Sequence, residues 1–203
     1  MKKKRKLIIA GALFAILLVA TITPTFSWLS SKTDPVVNTF AGGAISIILD
    51  ESAVDADGHK IEGGERSSGN TYKYVAGAVL DKDPTPTVLK GSEECYVFIC
   101  VENELNDKFS INYDTEHWTE ISSSGNKTVY GYKDTVDASE AEEDIMLSPI
   151  FTQVTVSESL TSEDVKALGE KKLTATAYAV QKESLSQKEA NELAISEFLS
   201  SGE

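Results

Sequence analysis

Apolar residues along this chain fall into one long run near the start and then into short runs separated by polar, glycine-rich connections. The short runs read mainly as strands. Residues 44–49 are mostly apolar and bounded by Gly42-Gly43 and Asp50-Glu51, the pattern of a buried strand. Residues 51–71 are acidic and rich in glycine, with Asp57-Gly58 and Gly63-Gly64 as turn signals, and predict a surface loop or loose hairpin. Strands are expected over 72–80 and 86–89, joined by a turn at 81–84. The strongest strand signal is 94–102, where Cys95, Val97, Ile99 and Val101 line one face and Tyr96, Phe98 and Cys100 the other. With both faces apolar, that strand belongs at the centre of a sheet covered on both sides.

The β pattern continues over 110–113, 118–121 and 129–133, with 122–126 as a turn-rich connection, 138–144 as an acidic surface turn or single helical turn and 153–156 as a further strand. Residues 161–168 predict a short helix with Thr161 as N-cap, Asp164 three residues on and Gly169 as its stop. Residues 172–181 alternate as a strand. Residues 186–199 pair Ser186 with Glu189 in a capping box and place Ala190, Leu193, Ala194 and Phe198 at helical spacing. The expected fold is therefore all-β: a β-sandwich of jelly-roll type with short helices and a C-terminal amphipathic helix.

The long run changes the reading of the first 43 residues. Lys2, Lys3, Lys4, Arg5 and Lys6 precede the apolar residues 7–22, and Thr23, Pro24 and Thr25 follow. Basic head, apolar core and small residues make a secretory signal peptide. The apolar run is shorter than the ~20 residues a permanent membrane helix needs, so cleavage is expected, before Phe26, with Thr23 and Thr25 in the peptidase pockets. The only expected membrane contact is through an uncleaved signal. Three segments follow: a signal peptide over 1–25, a donor or edge segment over 26–43, and a sandwich domain over 44–203.

Directly after the leader stand Phe26, the polar stretch 30–34, Asn38-Thr39-Phe40, Gly42-Gly43 and the apolar residues 45–49. This ordered series resembles the start of the TasA and camelysin family, whose members are processed by a SipW-type signal peptidase. Residues 80–103, LDKDPTPTVLKGSEECYVFICVEN, are similar to a central segment of clostridial-type members, and 148–181 to the family's closing strands. The resemblance implies secretion by a Gram-positive-type bacterium. It also implies a structural role in biofilm matrix or surface fibres, with partners that are copies of itself or related matrix proteins.

Charge narrows the partners further. Of 19 basic residues five lie in the leader, so the rest of the chain sets 32 acids against the remainder, a formal charge of about −18. Such a surface repels nucleic acid. Cys95 and Cys100 lie on one predicted strand, ~16 Å apart and on opposite faces, so they cannot bridge each other, leaving two reduced, mostly buried thiols or an intermolecular bridge. His59 and His117 form no His-Glu-x-x-His pair, and no nucleophile elbow is present, so no catalytic residue, metal site or cofactor is assigned and the metallopeptidase label of camelysin does not carry over. Asp55, Asp57 and Glu62 around Gly58 have the oxygen density of a calcium loop but not the EF-hand spacing, leaving a solvated turn or a weak calcium site. Asn126-Lys127-Thr128 matches a glycosylation sequon and reads as a turn.

Phe26 and Trp28 share one face of an extended segment at the expected new N-terminus. Either this segment folds back as an edge strand of its own sheet, or it inserts into a neighbour as a donated strand, with main-chain bonds for affinity and aromatic side chains for register. The functional expectation is a secreted, non-enzymatic fibre subunit assembled by strand donation. Its rivals are a monomeric ligand- or glycan-binding module and an exported hydrolase.

Overall fold

A computed structural model describes the backbone of Ser30–Lys32 and residues 45–200. The leader, the cleavage residues Thr25 and Phe26, and Trp28 lie outside the described residues. In chain order the elements are β1 (Ser30–Lys32), β2 (Ile47–Ser52), β3 (Arg66–Ser67), β4 (Val79–Asp81), β5 (Thr85–Val88), β6 (Cys95–Asn103), β7 (Phe109–Tyr113), β8 (Trp118–Ser124), β9 (Lys127–Tyr132), β10 (Ile145–Met146), β11 (Phe151–Val156), α1 (Ser162–Leu168), β12 (Leu173–Gln181) and α2 (Gln187–Leu199). The fold is all-β, with three antiparallel sheets and two short helices among the described residues. The sheets run β1-β12-β6-β9-β8, β10-β5-β2-β3 and β4-β11-β7.

The most apolar strand, β6, takes the central place its two apolar faces require, between β12 and β9. Cys95, Val97, Ile99 and Val101 pack into one core with Ile47 and Val88 of the second sheet and Phe151 and Val154 of the third. Tyr96, Phe98 and Cys100 pack on the opposite face with Tyr178, Val180 and the Ala190, Ala194 and Phe198 stripe of α2. The largest sheet is thus covered by a helix on one side and by the two smaller sheets on the other. Cys95 and Cys100 are buried in different cores, as the odd spacing requires.

Both helices carry the predicted caps. Thr161 and Asp164 form a capping box at α1, where Gly169 follows with φ 59°. Ser186 and Glu189 do the same at α2. Three strand expectations need correction. Of 72–80 only Val79 and Leu80 are strand, in Val79–Asp81, because Gly77 turns at φ 76° and the Ala78 N–H closes onto the Val75 carbonyl. Tyr72, Tyr74 and Ala78 instead pack beside Leu80, Val156, Leu160 and Leu168 in a third cluster. The serines of 122–124 extend β8 rather than forming a loop, since Gly125-Asn126 is a two-residue hairpin that pairs Ser124 with Lys127. The two-residue strands β3 and β10 carry no sequence signal of their own.

Candidate functional site

β12 is nine residues long, and β1 covers only its far end, pairing Ser30 with Val180, Ser31 with Ala179 and Lys32 with Tyr178. The three described residues of the N-terminal segment therefore fold back onto their own sheet. The direction of the remaining β12 backbone groups follows from the ladder. The Lys172 carbonyl accepts from Glu104 and the Lys182 N–H donates to Glu94, both toward the β6 side. In an antiparallel ladder the N–H and C=O of alternate residues point the same way, so those of Leu173 and Ala175 face outward. Among the described residues, no strand pairs with them.

A groove of about 670 Å³ opens beside this edge. Leu49, Leu80, Leu105, Phe109, Val154 and Leu173 make its apolar lining, and Glu170, Lys171 and Lys172 lie along one rim. Unpaired strand edge and apolar trough together form the kind of surface on which an extended segment adds as a further strand.

Part of the groove lining is polar, with Glu51, Asn70 and Lys82 in it. Glu51, on β2, is 4% exposed. One of its carboxylate oxygens accepts from Lys82 Nζ at 2.5 Å and the other from Asn70 Nδ2 at 2.9 Å. Asn70 Nδ2 also donates to the Ser52 carbonyl at 2.8 Å, while the Val54 N–H donates to Asn70 Oδ1 at 3.4 Å. Lys82 stands 5.8 Å from the centre of the Tyr72 ring. Burial first, and then the charge of Glu51, push the Tyr72 phenol well above its ordinary value. Next to this cluster Arg66 binds Asp50 and lies 3.5 Å from Asp83, whose carboxylate accepts from the Ser52 N–H and hydroxyl at 2.6 and 2.7 Å.

The candidate calcium residues do not converge. Asp55 spends one carboxylate oxygen on the N–H groups of Asp57 and His59, both at 2.9 Å, which closes the turn and holds its pKa below the ordinary value. Among the described residues, no group of three His, Cys, Asp or Glu side chains is placed to hold a metal. His59 Nδ1 lies 3.8 Å from Asp81, and His117 Nδ1 meets Asp114 at 2.7 Å in the turn before β8. Asn126 sits in the β8–β9 hairpin turn, where its amide donates to Glu102 at 3.2 Å. Among the described residues, no helix is long and apolar enough to cross a membrane.

Glu51, Asn70 and Lys82 escaped sequence reasoning because they match no spacing rule and two of them lie in polar connections. The one available signal was Glu51 itself, an acid at the end of an apolar strand. In comparisons with known protein families, curated proteins and solved structures, nothing matches this chain.

Proposed function

We propose that this chain is a secreted, non-enzymatic structural subunit of extracellular matrix or surface fibres, a β-sandwich of jelly-roll type that links to its neighbours through its N-terminal segment. The observation that carries this reading is the outward edge of β12 at Leu173 and Ala175, open among the described residues above an apolar groove and continuous with the stretch that β1 occupies. An unpaired edge is a template for strand addition, and proteins that remain monomeric usually blunt it with charge, proline or a cover. Here β1 covers only part of it. Exchange of that short strand between copies repeats one heterologous contact, and such a contact builds a filament when its rotation does not close. The leader, read as a cleavable signal ending at Thr25, and the resemblance of 26–49 to fibre-forming proteins support the same reading.

The test compares a chain beginning at Phe26 with one lacking residues 26–31, by sedimentation and electron microscopy at equal concentration. Circular dichroism serves as the folding control. The full segment is expected to give growing filaments and the truncated chain folded monomers. Equal filaments from both would reject strand exchange. A persistent monomer from the full segment would favour the ligand-binding module, for which the same groove is the binding site.

A further inference from the structure

A largely buried lysine, a buried carboxylate and an asparagine held together in the lining of the groove call for an account that assembly does not supply. Lys82 and Glu51 side chains are 12% and 5% exposed. Removing two charges from water costs several kcal/mol per ion in typical proteins, and their attraction only roughly offsets it. A salt bridge alone is thus a weak reason for this arrangement, and it leaves unexplained why an amide shares the carboxylate. The Asn70 amide is fixed in orientation: its nitrogen donates to both Glu51 Oε1 and the Ser52 carbonyl, so its carbonyl oxygen is the atom that meets the Val54 N–H. An amine, a proton acceptor touching it, an amide carbon beside the same acceptor, and a backbone donor on the amide oxygen are the parts an acyl transfer needs.

We propose that Lys82 and Asn70 become joined by an intramolecular isopeptide bond, with Glu51 as the catalytic proton carrier. Glu51 Oε2 takes a proton from Lys82 Nζ, and the freed lone pair attacks Asn70 Cγ. Charge developing on Oδ1 meets the Val54 N–H. The tetrahedral carbon then expels Nδ2, which leaves with the protons released by Lys82 as ammonium. One C–N bond forms and one breaks, Glu51 returns to its carboxylate, and no oxidant, metal or cofactor takes part. Holding the reacting groups against one carboxylate makes the step unimolecular, the condition under which amide exchange without an activated donor becomes feasible. The groove, which Asn70, Tyr72 and Lys82 help to line, gives ammonia its exit. The product ties the connection carrying Asn70 to the end of β4 and fixes one wall of the groove.

The inference does not rest on fibre assembly, and its test is made on the folded chain whatever its oligomeric state. Trypsin cuts after Arg66, Lys73, Lys82 and Lys90 in the unlinked chain. The bond blocks the cut at Lys82 and joins residues 67–73 to 74–90 in one branched peptide, lighter than the two together by one ammonia. Mass spectrometry is expected to find that species in the wild-type chain and not in Asn70→Ala or Glu51→Gln. Separate peptides ending at Lys82, with Asn70 intact, from folded wild-type chain overturn the proposal, as does an undiminished yield of the branched peptide from folded Glu51→Gln. The wild-type digest decides even where a variant does not fold.

Discussion

At the scale of single residues, burial sets what each group can do. Cys95 is fully enclosed, and burial, with Asp137 and Glu94 adding negative charge, pushes its thiol from an ordinary 9.0 up to about 12. The thiolate is the reactive form, so Cys95 is expected to resist a soluble alkylating agent at mildly alkaline pH until the chain is unfolded, when both cysteines label. Fast labelling of Cys95 in the folded chain would refute this. The sign of the linkage follows: a thiol whose folded pKa is raised contributes stability below 9.0 that is lost as pH climbs toward about 12. Gly58 was legible for a different reason. The Asp57-Gly58 pair reads as a turn, and the residue has φ 83° with Leu80 so close that a Cβ would meet Cδ2 at 2.7 Å. Glu51, Asn70 and Lys82 were not legible, because only the folded β2, its following connection and the end of β4 bring them to one point.

Elements whose signal is local were the readable ones. β6 is a continuous apolar run and β12 alternates, and both helices announce their starts with a hydroxyl and an acid three residues on. The stretch 72–78 opens with Tyr72-Lys73-Tyr74 and Val75, residues that favour a strand, yet packing of Tyr72 and Tyr74 against the α1 cluster and the turn at Gly77 overrode that preference. Which strands neighbour which depends on contacts far apart in sequence, and no local pattern reports them. For α2 the cap has a measurable consequence. The Ser186 hydroxyl accepts from the Glu189 N–H at 3.3 Å, and the Glu189 carboxylate accepts from the Ser186 hydroxyl and N–H at 2.7 and 2.9 Å. Ser186→Ala is expected to destabilise the fold by about 1 kcal/mol, read from the shift of the denaturant midpoint at unchanged slope. Those bonds, the side-chain one first, hold the Glu189 carboxyl below its ordinary 4.5, so its contribution is complete above that pH and is lost as pH falls through the lower folded value. The wild-type and Ser186→Ala midpoints should therefore draw together in acid. A gap that stays constant from neutral pH into acid would show that the Glu189 bonds do not carry the effect.

On the scale of the whole molecule, the proposed assembly turns on whether β1 stays on its own sheet or trades places with that of a neighbour. The three described residues of β1 make few backbone bonds, each contributing only ~0.5 to 1.5 kcal/mol net. On the other side of the balance, burying Phe26 and Trp28 in a partner removes ~150 to 250 Å² each, on the order of 7 to 12 kcal/mol together at ~25 cal/mol per Å². Association costs ~4 to 15 kcal/mol, so in the proposed exchange the aromatics alone are marginal and strand bonds along β12 must add to them. If exchange is the route, a chain whose β1 cannot leave must fail to polymerise. Ser30 and Val180 are register partners. By the alternation that turns Ala179 outward they form the non-hydrogen-bonded type of pair, with Cα atoms about 4.5 Å apart, inside the range a disulfide spans. The double variant Ser30→Cys with Val180→Cys should therefore lock β1 in place when oxidised, while Cys95 and Cys100 stay buried and out of the exchange. Sedimentation is expected to find the oxidised chain monomeric and the reduced chain elongating under the same conditions. Filaments from the oxidised, demonstrably cross-linked chain would mean that β1 need not leave its sheet, and assembly would have to run through another surface.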